Sequence, residues 1–101
     1  MSRLEDLVRI ASKSKKPLAW YGLAMEYRSA GDVDNALATF KKAHEIDAAY
    51  VPAYFMCAQM LAELGRTEDA RAEVQRGLQV AREVGDTHAL GEMSQLLETL
   101  E

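Results

Sequence analysis

The sequence carries an internal duplication, and this feature restricts its fold more than any other. Shifted against itself by 34 residues, it aligns Trp20 with Tyr54 and Gly31 with Gly65, and small residues elsewhere fall on small ones. A fixed period of about 20–50 residues is typical of repeat architectures, in which one unit cannot bury its apolar face alone and stacks on its neighbours. The chain is therefore predicted to fold as a short array of similar units.

Apolar residues within each copy recur at three- and four-residue steps, which predicts amphipathic helices. No stretch alternates with a period of two, so no strand is expected. Gly31 and Gly65 end one helix of each copy, and Asp32 is placed to cap the helix that follows. We predict an all-α chain of about six helices, over residues 3–12, 18–30, 33–46, 52–64, 67–83 and 87–100.

These positions resemble the tetratricopeptide repeat (TPR) family, whose helix–turn–helix unit carries the pattern W-x2-L-G-x2-Y, then A-x3-F, then P. Ala24 and Ala58 stand where the family often has Gly. The resemblance implies one TPR-like α-solenoid domain over residues 1–101, with an N-terminal helix at 2–12, repeats at 17–50 and 51–84, and a capping helix at 87–100. The large aromatic residues are expected to fill the core between helices. The signature residues are Trp20, Leu23, Ala24, Tyr27, Gly31, Ala36, Phe40, Ala43, Tyr54, Ala58, Gly65 and Ala70.

Charge and composition argue against several partner classes. The net charge is −4, and basic residues concentrate near the start, including the short run Lys13, Lys15 and Lys16. Nucleic-acid binding needs a broader basic face, so no nucleic-acid partner is expected. No stretch approaches 18 uninterrupted apolar residues, so no membrane span is expected either. A single cysteine, Cys57, and no signal-like apolar N-terminus favour the cytoplasm.

The sequence offers no catalytic, metal or cofactor site. Cys57 falls on the Leu23 position of the first copy, which the repeat pattern buries, and an activated thiol needs exposure and a nearby base. His44 and His88 are not paired with further ligands at metal-binding spacing. We therefore expect a protein that is not an enzyme and that carries neither a metal ion nor a cofactor.

The family resemblance implies that the first helix of each repeat lines a concave groove for a partner helix or peptide. The groove lacks the Lys, Arg and Asn residues with which chaperone-binding members hold a C-terminal carboxylate, so chaperone tails are unlikely ligands. Its apolar character favours a protein partner, although the last helix could instead cover it, or a second copy could pair with it as a homodimer. The predicted groove residues are Tyr21, Met25, Arg28, Phe55, Met56, Gln59 and Met93.

The predicted function is thus a non-catalytic protein–protein interaction module, an adaptor or scaffold. The alternative is a homo-oligomerising helical module that uses the same apolar face.

Overall fold

A computed structural model describes residues 2–100 of the chain. Within this range it contains six helices and no strand, which confirms the predicted all-α helical-repeat fold. Each observed helix end lies within one residue of its predicted position. The helices are α1 (Arg3–Ser12), α2 (Pro17–Ser29), α3 (Val33–Ile46), α4 (Val51–Glu63), α5 (Thr67–Val84) and α6 (Thr87–Thr99).

The chain divides into two compact units, the first ending at Tyr50 and the second beginning at Val51. In the first unit, α1 packs on α2 and α2 packs on α3. Small residues let α2 and α3 approach each other, and Phe40 fills the space between them with no exposed surface. The core of this unit comprises Ala11, Leu23, Ala24, Ala36, Phe40 and Ala43.

In the second unit, α5 packs on both α4 and α6, and α4 also contacts α6. The helices α4 and α5 approach each other closely at Gly77 in α5, where an added Cβ would lie 2.9 Å from Cβ of Tyr54 in α4. Because Gly77 has no side chain, Met93 of α6 can occupy the space beside it, and Met93 is fully buried. Other buried residues of this unit include Tyr54, Cys57, Ala58, Leu61, Ala70, Val74, Leu78 and Ala81.

The turns inside the two repeats form as the sequence predicts. Gly31 and Gly65 follow α2 and α4 with φ angles of 77° and 76°, in the left-handed region that a side chain disfavours. At the start of α3, the Asp32 carboxylate accepts a hydrogen bond from the backbone N–H of Asn35 at 3.3 Å. This bond satisfies one of the donors that a helix leaves free at its N-terminus.

Trp20 departs from the expectation that large aromatic residues fill the core. Phe40 and Tyr54 are buried, but Trp20 and Tyr27 are only half buried. The indole N–H of Trp20 donates to the backbone carbonyl of Ser14 at 3.3 Å, which holds the ring against the short connection between α1 and α2. Most of Trp20 is nevertheless buried, so the expectation that it fills the core is met only in part.

Candidate interaction surfaces

The exposed face of α2 carries three of the predicted groove residues. Tyr21, Met25 and Arg28 are all half buried, and their spacing places them on one side of the helix. Leu18 extends the same side by one turn and is 64% exposed. Leu23 and Ala24 lie on the side that packs inside the unit, with 2% and 0% exposure. The face of Leu18, Tyr21, Met25 and Arg28, here called the α2 face, is thus apolar at one end and cationic at the other.

Tyr21 is held in place by two aromatic neighbours. Its ring centroid lies 5.7 Å from that of Tyr50 in an edge-on arrangement and 6.4 Å from that of Phe40. Such pairs restrict ring motion and contribute about 0.5–1.5 kcal/mol beyond area burial. Burial raises the pKa of the Tyr21 phenol, while the charge of Arg28 acts in the opposite direction. The phenol is therefore neutral at physiological pH and offers a partner a fixed ring with a polar tip.

In the second unit, α4 presents a comparable set. Phe55, Met56 and Gln59 are half buried, whereas Tyr54 and Cys57 between them in sequence are buried. Phe55 occupies the position that Tyr21 has in the first copy, so an aromatic residue recurs at this point of both repeats. A partly exposed aromatic ring beside a methionine is the composition that protein interfaces favour.

Met93 does not belong to an exposed surface. Its side chain is fully buried between α5 and α4, against the space left by Gly77. The expectation that Met93 lines an open groove was therefore wrong, because α6 turns this residue inward as core. The remaining six predicted groove residues all retain some exposed surface.

A second surface feature, which the groove prediction missed, surrounds Trp20. A pocket of about 400 Å³ opens here between the α1–α2 connection and the end of α3. The Lys42 ammonium lies 5.7 Å from the centroid of the Trp20 ring, within the range of a cation–π contact. The feature of the sequence that could have indicated this pocket is the run of lysines shortly before Trp20. The pocket is lined by Ser12, Ser14, Lys15, Trp20, Lys42 and Ile46.

Cys57 is buried, as the repeat register predicted. Burial raises the pKa of its thiol to about 12, and the neighbouring Glu73 carboxylate acts in the same direction. The thiol is therefore protonated near neutral pH and is a poor nucleophile. Within residues 2–100, no three His, Cys, Asp or Glu side chains are grouped so that they could hold a metal ion. Over the same range, every helix is too short or too polar to cross a membrane.

Comparison with known proteins shows the family to which the chain belongs. The sequence matches the tetratricopeptide repeat family over residues 27–93. An uncharacterized protein of Methanocaldococcus jannaschii is 41% identical over 68 residues, which cover 67% of this chain and 79% of that protein.

Solved structures of similar fold include the following two. The crystal structure of a tetratricopeptide repeat domain protein from Salinibacter ruber is 32% identical, with a TM-score of 0.75 over 84% of this chain and 96% of that one. The solution structure of a Bordetella parapertussis protein is 25% identical, with a TM-score of 0.81 over 99% and 88% of the two chains.

Proposed function

Because the chain belongs to the tetratricopeptide repeat family, we propose that it is a non-catalytic adaptor that binds a helix or peptide segment of another protein. Proteins with this fold generally mediate protein–protein interactions. The proposed contacts are made by the exposed faces of the first helix of each repeat. They comprise Leu18, Tyr21, Met25 and Arg28 on α2 and Phe55, Met56 and Gln59 on α4.

The observation that carries this proposal is the exposure of apolar side chains on the α2 face. Leu18 is 64% exposed although it is a large aliphatic residue, and Tyr21 and Met25 continue the same stripe. An apolar stripe with an exposed large side chain at its end is a candidate interaction site. Tyr21 supplies an anchor that is already ordered, which reduces the entropy lost on binding. Met25 supplies an adaptable neighbour.

The same stripe supports the homo-oligomer as the second candidate. Two copies that pair through Leu18 and Met25 would bury this surface without another protein. In this reading the interface is isologous, so one substitution alters both sides of it. The lone buried thiol of Cys57 suits a reducing compartment, and we propose the cytoplasm as the location.

The test compares two surface variants in pull-downs from native lysate. The double variant Leu18→Ser/Met25→Ser makes the α2 face polar, and Val84→Ser is the matched control, since Val84 is also exposed (52%) but lies at the end of α5. A partner retained by wild type and by Val84→Ser, and lost by the double variant, supports the proposal. Retention by all three chains contradicts it, provided that circular dichroism shows the same melting curve for each.

Sedimentation equilibrium separates the two candidates. If the protein is a monomer at micromolar concentration, the homo-oligomer is excluded and the adaptor remains. If it is a dimer that dissociates in the double variant but persists in Val84→Ser, it self-associates through the α2 face.

A further inference from the structure

We propose that the pocket beside Trp20 is a second binding site, which takes an oxyanion side chain of a peptide, a carboxylate or a phosphate group. It does not depend on the function proposed for the α2 face. The pocket is built from the connection between α1 and α2 and from the C-terminal part of α3, all within the first unit.

The charges of the pocket favour an anion. Two of its six lining residues, Lys15 and Lys42, are cationic, and none is acidic. Lys15 forms no ion pair within residues 2–100. Lys42 approaches the Glu45 carboxylate only at 3.9 Å, and both side chains are about half exposed, so this pair contributes little. An incoming oxyanion therefore has no strong ion pair to displace at either lysine.

One of the two serines adds a neutral donor. Ser12 donates its hydroxyl hydrogen to the carbonyl of Arg9 at 2.9 Å and has none left for a ligand. Ser14 instead accepts at its hydroxyl oxygen from the N–H of Lys16 at 3.0 Å, which leaves its hydrogen free to donate. The Ser14 carbonyl also accepts the Trp20 indole N–H, so this part of the connection is fixed relative to the ring. A positioned donor beside two cations suits an oxyanion.

The apolar part of the pocket and its open shape indicate which kind of molecule bears the anionic group. The Trp20 ring and Ile46 give the pocket an apolar wall. The pocket volume of about 400 Å³ is at the lower end of the range for small-molecule binding sites. Such sites enclose most of their ligand, and this pocket is too open to do so. An acidic or phosphorylated side chain, whose main chain remains outside and whose methylene groups lie on the indole, fits these properties.

Trp20 is the only tryptophan in the chain, so the pocket contains its own reporter. Short blocked peptides bearing one glutamate, one phosphoserine or, as the neutral control, one glutamine are titrated into the full chain. The readouts are tryptophan fluorescence and the single indole N–H resonance in a ¹H–¹⁵N spectrum. We expect saturable changes with the anionic peptides that weaken as salt is added. The anionic peptide with the higher affinity identifies whether carboxylate or phosphate is the ligand.

The variants Lys15→Gln and Lys42→Gln should each weaken binding by up to about fivefold, as expected for the loss of one exposed charged contact. Lys41→Gln is the matched control, because Lys41 is the exposed neighbour of Lys42 on α3 and does not line the pocket. Equal weakening by Lys41→Gln and Lys42→Gln would show a diffuse charge effect and overturn the proposal. Equal affinity for the glutamine peptide, or no saturable change with either anion, would overturn it as well.

Discussion

A single added methyl group at Gly77 tests the packing of the second unit. A Cβ atom built there lies 2.6 Å from Sδ and 2.9 Å from Cε of Met93, and 2.9 Å from Cβ of Tyr54. Nonbonded carbon atoms ordinarily lie about 3.5–4.0 Å apart, so each of these contacts is an overlap. The end of Met93 is flexible but fully buried, and Cβ of Tyr54 is fixed to the backbone of α4. Gly77→Ala must therefore push α4 and α5 apart.

The expected magnitude follows from two opposing effects. Overpacking a core costs about 1–3 kcal/mol, whereas replacing Gly by Ala inside a helix gains about 1 kcal/mol. Gly77→Ala should thus lower the free energy of unfolding by up to about 2 kcal/mol. Gly91→Ala in α6 is the control, because Gly91 is exposed and its added Cβ meets no atom within 4 Å. This second variant should gain about 0.4–1 kcal/mol.

Thermal and urea unfolding followed by circular dichroism measure both variants. A change of 1 kcal/mol corresponds to about 4–8 °C in Tm for a domain of roughly this size, so Gly91→Ala should melt several degrees above Gly77→Ala. Met93→Ala provides the coupling test. Alone it should cost about 2–5 kcal/mol, and the double variant should cost less than the sum of the two single variants, since the added methyl occupies part of the vacated space. Equal stabilisation by Ala at Gly77 and Gly91 would refute the close packing described here.

Three further predictions concern a buried carboxyl, a helix cap and a turn. Burial raises the pKa of Glu73, against the opposing charge of Arg76, so the folded state holds this proton more tightly than the unfolded one. The contribution of Glu73 to the free energy of unfolding is fully present below the pKa that its carboxyl has in the unfolded state. This contribution is lost as the pH rises through the higher pKa of the folded state. The Tm of the wild type should therefore fall relative to the Tm of Glu73→Gln between pH 4 and pH 7. A difference in Tm between the two proteins that stays constant over this range would contradict the prediction. The Asp86 carboxylate accepts the N–H of Ala89 at 3.0 Å at the start of α6, so Asp86→Ala should cost about 1 kcal/mol in urea unfolding, with no loss if the cap is not formed. Gly65 has a φ of 76°, so Gly65→Ala should cost about 1–2 kcal/mol by the same assay, and an unchanged midpoint would exclude the left-handed turn.

The alignment of the two copies at 34 residues predicts which residues face inward within one repeat. The predictions made from it for Gly31, Gly65 and Cys57 are confirmed. Gly31 and Gly65 take the left-handed conformation, and Cys57 is buried at the position of Leu23. Each of these follows from a local rule, namely that only Gly adopts positive φ cheaply and that apolar residues at helical spacing share a buried face. Local rules of this kind need no knowledge of the neighbouring elements.

The positions that were misplaced depend on elements outside the two repeats. Trp20 is only partly buried, with its indole N–H donating to the connection before α2. Met93 is buried because Gly77, one helix away, leaves room for it. Both outcomes depend on what the flanking helices cover, and the period of the repeat carries no information on this. The pocket beside Trp20 could not be predicted from the period for the same reason.

The placement of Cys57 and Trp20 gives each unit a natural probe of its own. Since Cys57 is buried, with 4% exposure, a maleimide or disulfide reagent should reach it only when the second unit opens. Trp20 fluorescence follows the first unit, and neither probe requires an engineered residue. Labelling of Cys57 and quenching of Trp20 along one denaturant series would therefore compare the unfolding of the two units directly. Coincident midpoints would mean that the repeats unfold as one cooperative body, and separate midpoints would measure how weakly neighbouring repeats are coupled.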